Sequence, residues 1–290
     1  MKLITYVYEN KERIGVLTPD ERSVCEIEGF SSVNELIIKA KEYDMKEIYE
    51  QSVCRKDAVS VDNIRIKSPI PCPMQDVICL GINYTEHAKE SEKFDKEAFG
   101  GERPRAIYFS KRVNESPADG DDICGHFDIV ESLDYEAELG VVIGKDAKDV
   151  PLEDVKNYIF GYTVINDISA RNIQTAHKQW YFGKSLDGFT PMGPCILTAD
   201  EVEYPPVLKI TAKVNGELRQ NSTTDLLITD IDHIVHELSC GITLKAGTII
   251  ATGTPSGVGM GMNPPCFLKD GDIVECKIEK IGSITNKIVK

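Results

Sequence analysis

The chain has 290 residues, of which 41% are hydrophobic, enough for one large core or for two domains of unequal size. Its net charge of −14 comes from 47 acidic residues against 33 lysines and arginines, with no basic stripe of interleaved aromatics, so we expect no nucleic-acid partner. No apolar run approaches the roughly 20 residues that a membrane helix needs, which argues against a membrane partner.

Cysteine usage and the N-terminal residues together indicate the compartment. The nine cysteines include no C-x-x-C pair, which favours free thiols over a disulfide framework or a zinc site. The first residues carry charges every few positions and lack the apolar core of a signal peptide. We therefore expect a cytoplasmic protein.

The first 70 residues have the pattern of a small α+β domain. Strand-like runs at 3–8 and 14–18 flank a polar turn, and Ser32 with Glu35 forms a capping box before an amphipathic helix at 35–50. The proline-rich segment 68–73 cannot continue a helix or a central strand. It predicts a boundary between an N-terminal domain, 1–70, and a second domain, 71–290.

A histidine and a glutamate follow the apolar strand predicted at 77–80. Thr85 is positioned to cap a helix in which His87 and Glu90 are three residues apart on one face. A carboxylate that orients an imidazole makes it a candidate general base. The same spacing equally describes a surface contact, which is the commoner arrangement. The charged segment 90–105 that follows is predicted to be either a lid or a solvated loop.

Three acidic residues stand at strand ends in the middle of the chain. Glu136 and Glu138 are two residues apart at the start of a β-branched run, so a strand directs both carboxylates to one face. Asp167 ends a second β-branched run, at 162–166. Three carboxylates from two strand ends suit a hard divalent cation. Acids on the solvent face of an antiparallel strand remain an open alternative.

Further polar residues follow Asp167. Arg171 and Gln174 are three residues apart, and Lys184 follows aromatic residues that could shield it from water. Gly183-Lys184-Ser185 is not a phosphate-binding loop, because that motif needs a glycine where Lys178 stands.

The last third of the chain contains one amphipathic helix, one glycine-rich loop and a closing hairpin. His233 and His236 in the helix predicted at 228–244 have no surrounding zinc-ligand set, so a helix face explains them better. The loop at 252–261 fails the G-x-G-x-x-G pattern, and either anion binding through its N–H groups or a tight turn explains it. Residues 268–289 predict the hairpin.

The order of these motifs along the chain resembles the fumarylacetoacetate hydrolase superfamily. The resemblance covers residues 71–290 and rests on these segments: GINYTEHAKE, IYFSKRVNESPADGDDI, DYEAELGVVIG, GYTVINDISARNIQ, GKSLDGFTPMGP, VNGELRQNSTTDLLI and ATGTPSGVG. The chain is most similar to the shorter branch, which includes acylpyruvate hydrolases, oxaloacetate decarboxylases and hydroxymuconate-type isomerases. Fumarylacetoacetase itself is longer and has a different N-terminal domain.

The resemblance implies a mainly β (α+β) fold, a mixed β-sandwich roll with a small N-terminal domain, assembled as a homodimer. It implies Mg²⁺, with Mn²⁺ or Ca²⁺ as alternatives, on Glu136, Glu138 and Asp167. It assigns catalysis to His87, Glu90 and Lys184, and substrate binding to Arg171, Gln174 and Thr254.

The implied activity is metal-dependent hydrolysis of a C–C bond in a 2-oxo acid such as an acylpyruvate, through a stabilised enolate. Isomerisation, decarboxylation or dehydration of a related acid uses the same enolate and stays open as an alternative. A non-catalytic ligand-binding protein is a third interpretation. The motifs disfavour it, because every matched position holds a chemically competent residue.

Overall fold

The computed structural model describes residues 1–40, 45–53, 57–101 and 105–290. Its N-terminal strands are β1 (Lys2–Tyr8), β2 (Lys11–Leu17), β3 (Ser23–Glu26), β4 (Val59–Ser60) and β5 (Arg65–Lys67), and its first helices are α1 (Val33–Lys39) and α2 (Met45–Val53). The predicted strands at 3–8 and 14–18 are confirmed. The single helix predicted at 35–50 is instead two helices, and residues 41–44 between them lie outside the described residues.

The helix α1 begins as its capping box predicts. The Ser32 hydroxyl accepts a hydrogen bond from the Glu35 N–H at 3.1 Å. The Glu35 carboxylate accepts in return from the N–H of Ser31, one residue earlier than the motif specifies, at 2.7 Å. Leu36 and Ile37 then pack on Leu3 of β1, so the helix covers one face of this sheet.

The rest of the chain is dominated by strands and contains short helices. The strands are β6 (Val77–Gly81), β7 (Ile107–Lys111), β8 (Asp122–Cys124), β9 (Leu133–Asp134), β10 (Ala137–Ile143), β11 (Ile159–Asn166), β12 (Ser169–Ala170), β13 (Met192–Thr198), β14 (Lys209–Val214), β15 (Glu217–Thr223), β16 (Ile249–Ala251), β17 (Ile273–Ile278) and β18 (Gly282–Val289). The helices are α3 (Thr85–Phe94), α4 (Lys96–Phe99), α5 (Arg171–Ala176), α6 (Tyr181–Lys184) and α7 (Ile231–Gly241).

The strands form two main sheets. The larger has the order β4-β3-β2-β1-β13-β11-β10-β16-β6-β7, with β5 beside β1, and the smaller has the order β15-β14-β17-β18-β8. Both are mixed, because β16 pairs with β6 in parallel and β18 pairs with β8 in parallel. The predicted mainly β fold with mixed sheets is confirmed. Because β1 pairs with β13, residues on both sides of position 70 share one sheet, and the division into two domains stays a prediction.

The two sheets pack face to face through an apolar core. Leu139 and Val141 of β10 lie in one cluster with Ile210 of β14 and Cys276 of β17. On the opposite face of the larger sheet, Val142 of β10 packs in the cluster that contains the N-terminal helix α1. The strand β10 is therefore buried along its whole length. Any polar side chain at its start lies in the protein interior.

The start of α3 differs from the prediction. Thr85 does not cap α3, which is a wrong prediction, because the helix begins at Thr85 itself after Tyr84 and has no side-chain cap. A 3₁₀ helix, Leu152–Tyr158, leads directly into β11. The helix α7 and the closing β17–β18 hairpin are confirmed. None of the helices in the described ranges combines the length and apolarity needed to cross a bilayer.

The cysteines follow the prediction where the structure describes them. Eight of them, all except Cys54, are free thiols. Cys54 lies outside the described residues, so no statement about its bonding follows.

Candidate active site

The three acidic residues predicted to act together meet at the end of the β10–β11 hairpin. This antiparallel pairing places Ala137 opposite Asn166, so Glu136, just before β10, lies beside Asp167, just after β11. The Asp167 N–H donates to the Glu136 carbonyl at 2.8 Å and fixes this register. One carboxylate oxygen from each of Glu136, Glu138 and Asp167 lies within 4.8 Å of the other two. We call these three residues the acidic cluster.

Burial excludes a solvent-facing arrangement of these acids. Glu136 is 4% exposed, Glu138 is 1% exposed and Asp167 is fully buried. Unpaired carboxylates in such surroundings would be costly, so their neighbours must compensate the charge.

Lysine and arginine side chains compensate two of the three acids. Lys184 Nζ lies 2.7 Å from a Glu136 oxygen and 2.9 Å from an Asp167 oxygen. Arg171 Nη2 lies 2.6 Å from the other Glu136 oxygen. Burial works against ionisation of Glu136, but Lys184 and Arg171 outweigh it and hold the pKa of its carboxyl well below the usual range. Glu136 is therefore a carboxylate at neutral pH.

Glu138 has a different environment. Its carboxylate accepts a hydrogen bond from the Gly253 N–H at 2.8 Å, and within the described residues it forms no ion pair with a lysine, an arginine or a histidine. Burial and the nearby Asp167 and Glu136 carboxylates raise the pKa of the Glu138 carboxyl well above its usual value. A cation placed beside Glu138 would favour its ionised form.

A second lysine, which the sequence reasoning missed, contacts the acidic cluster. Lys111, at the end of β7, is fully buried, forms an ion pair with Asp167 and donates to the Ile168 carbonyl at 3.0 Å. Burial lowers the pKa of Lys111. The available signal was a lysine closing the strand-like run IYFSK. Only the pairing of β7 with β6 brings that strand end to the cluster.

We expect Lys111→Met to destabilise the protein by about 3 kcal/mol, because it removes one of the two buried lysines that compensate Asp167 and leaves only Lys184 beside this carboxylate. Urea unfolding in EDTA measures this effect. The matched control is Lys89→Met, which breaks the exposed Lys89–Glu86 pair and should change the free energy of unfolding by less than about 1 kcal/mol. Equal stabilities for the two variants would contradict the structural role of Lys111.

His87 and Glu90 make the contact that their spacing in α3 predicts. His87 Nδ1 lies 2.8 Å from Glu90 Oε1, and His87 is only 3% exposed, so this is not a surface pair. The Glu90 carboxylate also accepts from the Gly257 N–H, at 3.0 Å to Oε2. A Glu90 that accepts at Nδ1 leaves Nε2 as the basic nitrogen of a neutral imidazole.

Arg171 and Gln174 also lie together, on α5. Arg171 Nη1 donates to Gln174 Oε1 at 3.1 Å, and both side chains are buried. Asp134, which the sequence reasoning did not assign, receives Arg171 Nε at 3.0 Å and the N–H groups of Gly259 and Met260 at 2.6 and 3.0 Å. This carboxylate therefore links Arg171 to the glycine-rich loop. Its neighbours along the chain gave no sign of this long-range contact.

Thr254 lies at the start of that loop, and its hydroxyl is occupied by protein groups. It donates to the Ala137 carbonyl at 2.9 Å and accepts from Gln220 Nε2 at 2.8 Å. Since Ala137 lies between the two glutamates, Thr254 connects the loop to the acidic cluster.

These side chains line one small cavity. Its walls include seven of the nine predicted site residues: His87, Glu136, Glu138, Arg171, Gln174, Lys184 and Thr254. Glu90 and Asp167 stand behind this lining, in contact with His87 and Lys184. The cavity volume is about 10 Å³, room for about one water molecule. We call this space the inner chamber.

A family model described as "Fumarylacetoacetate (FAA) hydrolase C-terminal" matches residues 76–289. The chain belongs to the fumarylacetoacetate hydrolase family. Oxaloacetate tautomerase YisK of Bacillus subtilis (strain 168) is 43% identical over 229 residues, which cover 79% of this chain and 74% of that protein. Other members with solved structures are named as a hydrolase and as a 5-carboxymethyl-2-hydroxymuconate delta-isomerase, so the named activities within this family differ.

Solved structures of the fumarylacetoacetate hydrolase family share the whole architecture. A fumarylacetoacetate hydrolase from Exiguobacterium antarcticum is 36% identical, with a TM-score of 0.84 over 100% of this chain and 99% of that one. Maleylpyruvate hydrolase from Sphingobium sp. SYK-6, in a complex with manganese(II) ion and pyruvate, is 26% identical, with a TM-score of 0.77 over 100% of this chain and 99% of that one.

The acidic cluster has the chemistry of a divalent-cation site. It supplies three oxygen ligands, which hard cations prefer, and Glu138 is a buried acid without a cationic partner among the described side chains. The cations Lys111, Arg171 and Lys184 face four carboxyl groups when Asp134 is included, so one negative charge would remain for a bound cation to neutralise once Glu138 is ionised. These residues therefore fit a bound divalent cation.

Proposed function

We propose that the protein is a divalent-cation-dependent enzyme that acts on 2-oxo acids and hydrolyses a C–C bond in a short acylpyruvate-type substrate. The observation that carries this proposal is the convergence of a buried acidic cluster, the His87–Glu90 pair and Arg171 on one small cavity, the inner chamber. The family and the named hydrolases within it support the same reaction class.

Glu136, Glu138 and Asp167 would hold the cation, which we propose to be Mg²⁺, with Mn²⁺ or Ca²⁺ able to use the same oxygen ligands. When bound there, such a cation supplies Lewis-acid polarisation of the 2-oxo carbonyl of the substrate.

Arg171, Gln174 and Lys184 would bind and orient the substrate. Arg171 offers a planar guanidinium, the side chain best suited to a carboxylate, and Asp134 and Gln174 fix its orientation. Lys184 is buried, but the Asp167 and Glu136 carboxylates outweigh the effect of burial and raise its pKa. Lys184 therefore stays cationic, and its charge stabilises negative charge that develops on the substrate oxygen.

His87 would be the general base. With Glu90 accepting the Nδ1 proton, Nε2 takes a proton from water that attacks the distal carbonyl of the substrate. The protonated imidazole is then stabilised by the Glu90 carboxylate. The same nitrogen then returns this proton to the carbon of the pyruvate fragment that leaves.

Keto–enol tautomerisation of oxaloacetate is a second candidate, favoured by the 43% identity to the tautomerase of Bacillus subtilis. Here His87 would move a proton between carbon and solvent without activating water for attack. Assays of acylpyruvates, fumarylpyruvate and oxaloacetate with Mg²⁺, with products identified by mass spectrometry and enol content followed by ultraviolet absorbance, discriminate the two. C–C cleavage products support hydrolysis, and enol interconversion without cleavage supports tautomerisation.

We expect Mg²⁺ to raise the melting temperature over that in EDTA, and oxalate to raise it further only when Mg²⁺ is present. Binding to the folded state alone stabilises it by about 2.7 kcal/mol at a ligand concentration of 100 Kd. Oxalate carries the adjacent carboxylate oxygens that a 2-oxo acid presents to a cation. Thermal melting checks this expectation, and no response to either ligand would support a non-catalytic protein.

The cytoplasmic location and the homodimer implied by the family resemblance stay predictions.

A further inference from the structure

The chain's only tryptophan, Trp180, forms one wall of the inner chamber. Its ring contacts Phe99 of α4 at a centroid distance of 5.7 Å and Phe109 of β7 at 5.4 Å. Lys184 Nζ lies 5.1 Å from the centre of the same Phe109 ring. The Phe109 ring therefore lies between Trp180 and Lys184, which contacts the acidic cluster.

Trp180 also rests directly on the backbone of β6. A Cβ atom added at Gly81 would lie 2.2 Å from Cζ3 and 2.7 Å from Cη2 of the Trp180 ring. No real Cβ sits that close, so a residue larger than glycine at position 81 would displace the indole. The glycine at this position is what lets Trp180 close the chamber.

A second, larger cavity also has Trp180 in its wall. Its volume is about 570 Å³, and it shares Trp180 and Gln174 with the inner chamber. Its remaining walls are Asp95, Glu97, Ala98, Thr175, Ala176 and Lys178. We call this space the outer pocket.

We infer that Trp180 is a specificity-determining residue that confines the substrate to a short 2-oxo acid by separating the inner chamber from the outer pocket. This inference rests on the proposed function in one respect, that the carboxylate and 2-oxo group bind at the inner chamber, which must widen from its present volume of about 10 Å³ to admit them. A longer substrate must displace the indole and place its distal end in the outer pocket. Two acids against one lysine in that pocket favour an uncharged tail over a second carboxylate.

The test compares two non-reacting ligands, so that it does not depend on which reaction the enzyme performs. Oxamate presents a carboxylate beside a carbonyl, and N-hexyl oxamate adds an uncharged tail. Isothermal titration calorimetry in saturating Mg²⁺ gives the ratio of their dissociation constants. In the wild-type protein we expect oxamate to bind more tightly than N-hexyl oxamate.

Two variants remove the indole from its position between the inner chamber and the outer pocket in different ways. Trp180→Ala removes the indole, and we expect it to shift the ratio towards N-hexyl oxamate by about 10-fold or more, the range seen when a pocket gains room for added methylenes. Gly81→Ala keeps the indole but pushes it away, and it should shift the ratio in the same direction. Gly81→Ala alone carries the test if Trp180→Ala does not fold.

Two controls are matched to these variants. Trp180→Phe keeps an aromatic ring at the boundary and should stay within about 3-fold of the wild-type ratio. Tyr181→Ala removes the neighbouring aromatic side chain, which is 42% exposed and lines neither cavity, and should leave the ratio unchanged.

The possible results distinguish a failure of the proposed function from a failure of the role inferred for Trp180. Wild-type protein that fails to bind oxamate in Mg²⁺ contradicts the proposed function, and the inference falls with it. Oxamate binding with an unchanged ratio in every variant that folds, Gly81→Ala and Trp180→Ala, overturns the inference alone. Since the chain has one tryptophan, its emission in the wild type gives a second measurement. N-hexyl oxamate should alter that emission more than oxamate does, and an equal response would count against displacement of the indole.

Discussion

Glu138→Gln is expected to abolish divalent-cation binding and turnover while leaving the protein folded. Glu138 is the member of the acidic cluster without a lysine or arginine partner among the described residues, so it has the most to gain from a bound cation. Glutamine keeps the shape and still accepts the Gly253 N–H through its amide oxygen. The substitution therefore removes the charge and little else.

The expected size of this effect follows from the number of ligands. Loss of an outer-sphere partner typically costs 10- to 100-fold in metal affinity, so loss of a direct ligand should weaken Mg²⁺ binding by about 10²-fold or more. Calorimetric titration with Mg²⁺ measures this directly. Turnover at a fixed Mg²⁺ concentration should fall in parallel.

The stability of Glu138→Gln in EDTA distinguishes a ligand from a structural residue. In the absence of a cation, burial and the Asp167 and Glu136 carboxylates disfavour a charge on Glu138 and raise its pKa, so the neutral variant should melt at the wild-type temperature or above it. Glu131→Gln, the same change at an exposed site, is the control and should alter neither binding nor melting. A Glu138→Gln variant that binds Mg²⁺ with wild-type affinity would remove the basis of the proposed metal site.

The composition of the acidic cluster was predictable because it depends on local geometry. Residues two apart in a strand share a face, which is a property of the backbone, so Glu136 and Glu138 follow from the sequence pattern alone. The i and i+3 spacings of His87 with Glu90 and of Arg171 with Gln174 follow in the same way, and both pairs make contact. Asp167 needed the additional assumption that its strand pairs with β10.

The surroundings of the cluster depend on distant parts of the chain and were not predictable in this way. Lys111 reaches Asp167 only because β7 pairs with β6 at one edge of the larger sheet. Asp134 joins Arg171 to backbone groups 125 residues further along the chain. Residue spacing carries no information about such contacts, and a lone buried lysine or aspartate has no pattern that distinguishes it from a surface one.

Burial was the second unpredictable property. Glu-x-Glu on a strand is compatible with a solvated face, and only the packing of β10 between two apolar clusters makes the acids interior. Because that packing removes the three carboxylates from water, their charges are costly unless nearby cations compensate them. The wrong assignment of Thr85 as a helix cap has a related origin, because Tyr84 is held by a β-bridge to Leu227 that fixes where the helix begins.

His87→Ala is expected to keep Mg²⁺ affinity and lose turnover by about 10² to 10⁴-fold, the usual contribution of a general base. Among the described residues, His87 makes no hydrogen bond or ion pair with Glu138 or Asp167 and acts on Glu136 only through its charge, so all three cation ligands stay in place in the variant. Glu90 still accepts the Gly257 N–H in the variant, and its carboxylate is therefore not left without a partner. Steady-state rates with an acylpyruvate, beside a Mg²⁺ titration, give both quantities.

The chain contains its own control for this substitution. His233 contacts Asp230 through Nδ1 at 2.7 Å with the same three-residue spacing, but its side chain is 62% exposed and is not part of the inner chamber's lining. His233→Ala should therefore leave turnover unchanged, because a histidine–carboxylate pair needs a substrate within reach to act as a base. Acylpyruvate hydrolysis that survives in His87→Ala would remove this histidine from the mechanism. Metal-dependent loss of carbon dioxide from oxaloacetate in that variant would instead favour decarboxylation, a reaction that needs no activated water.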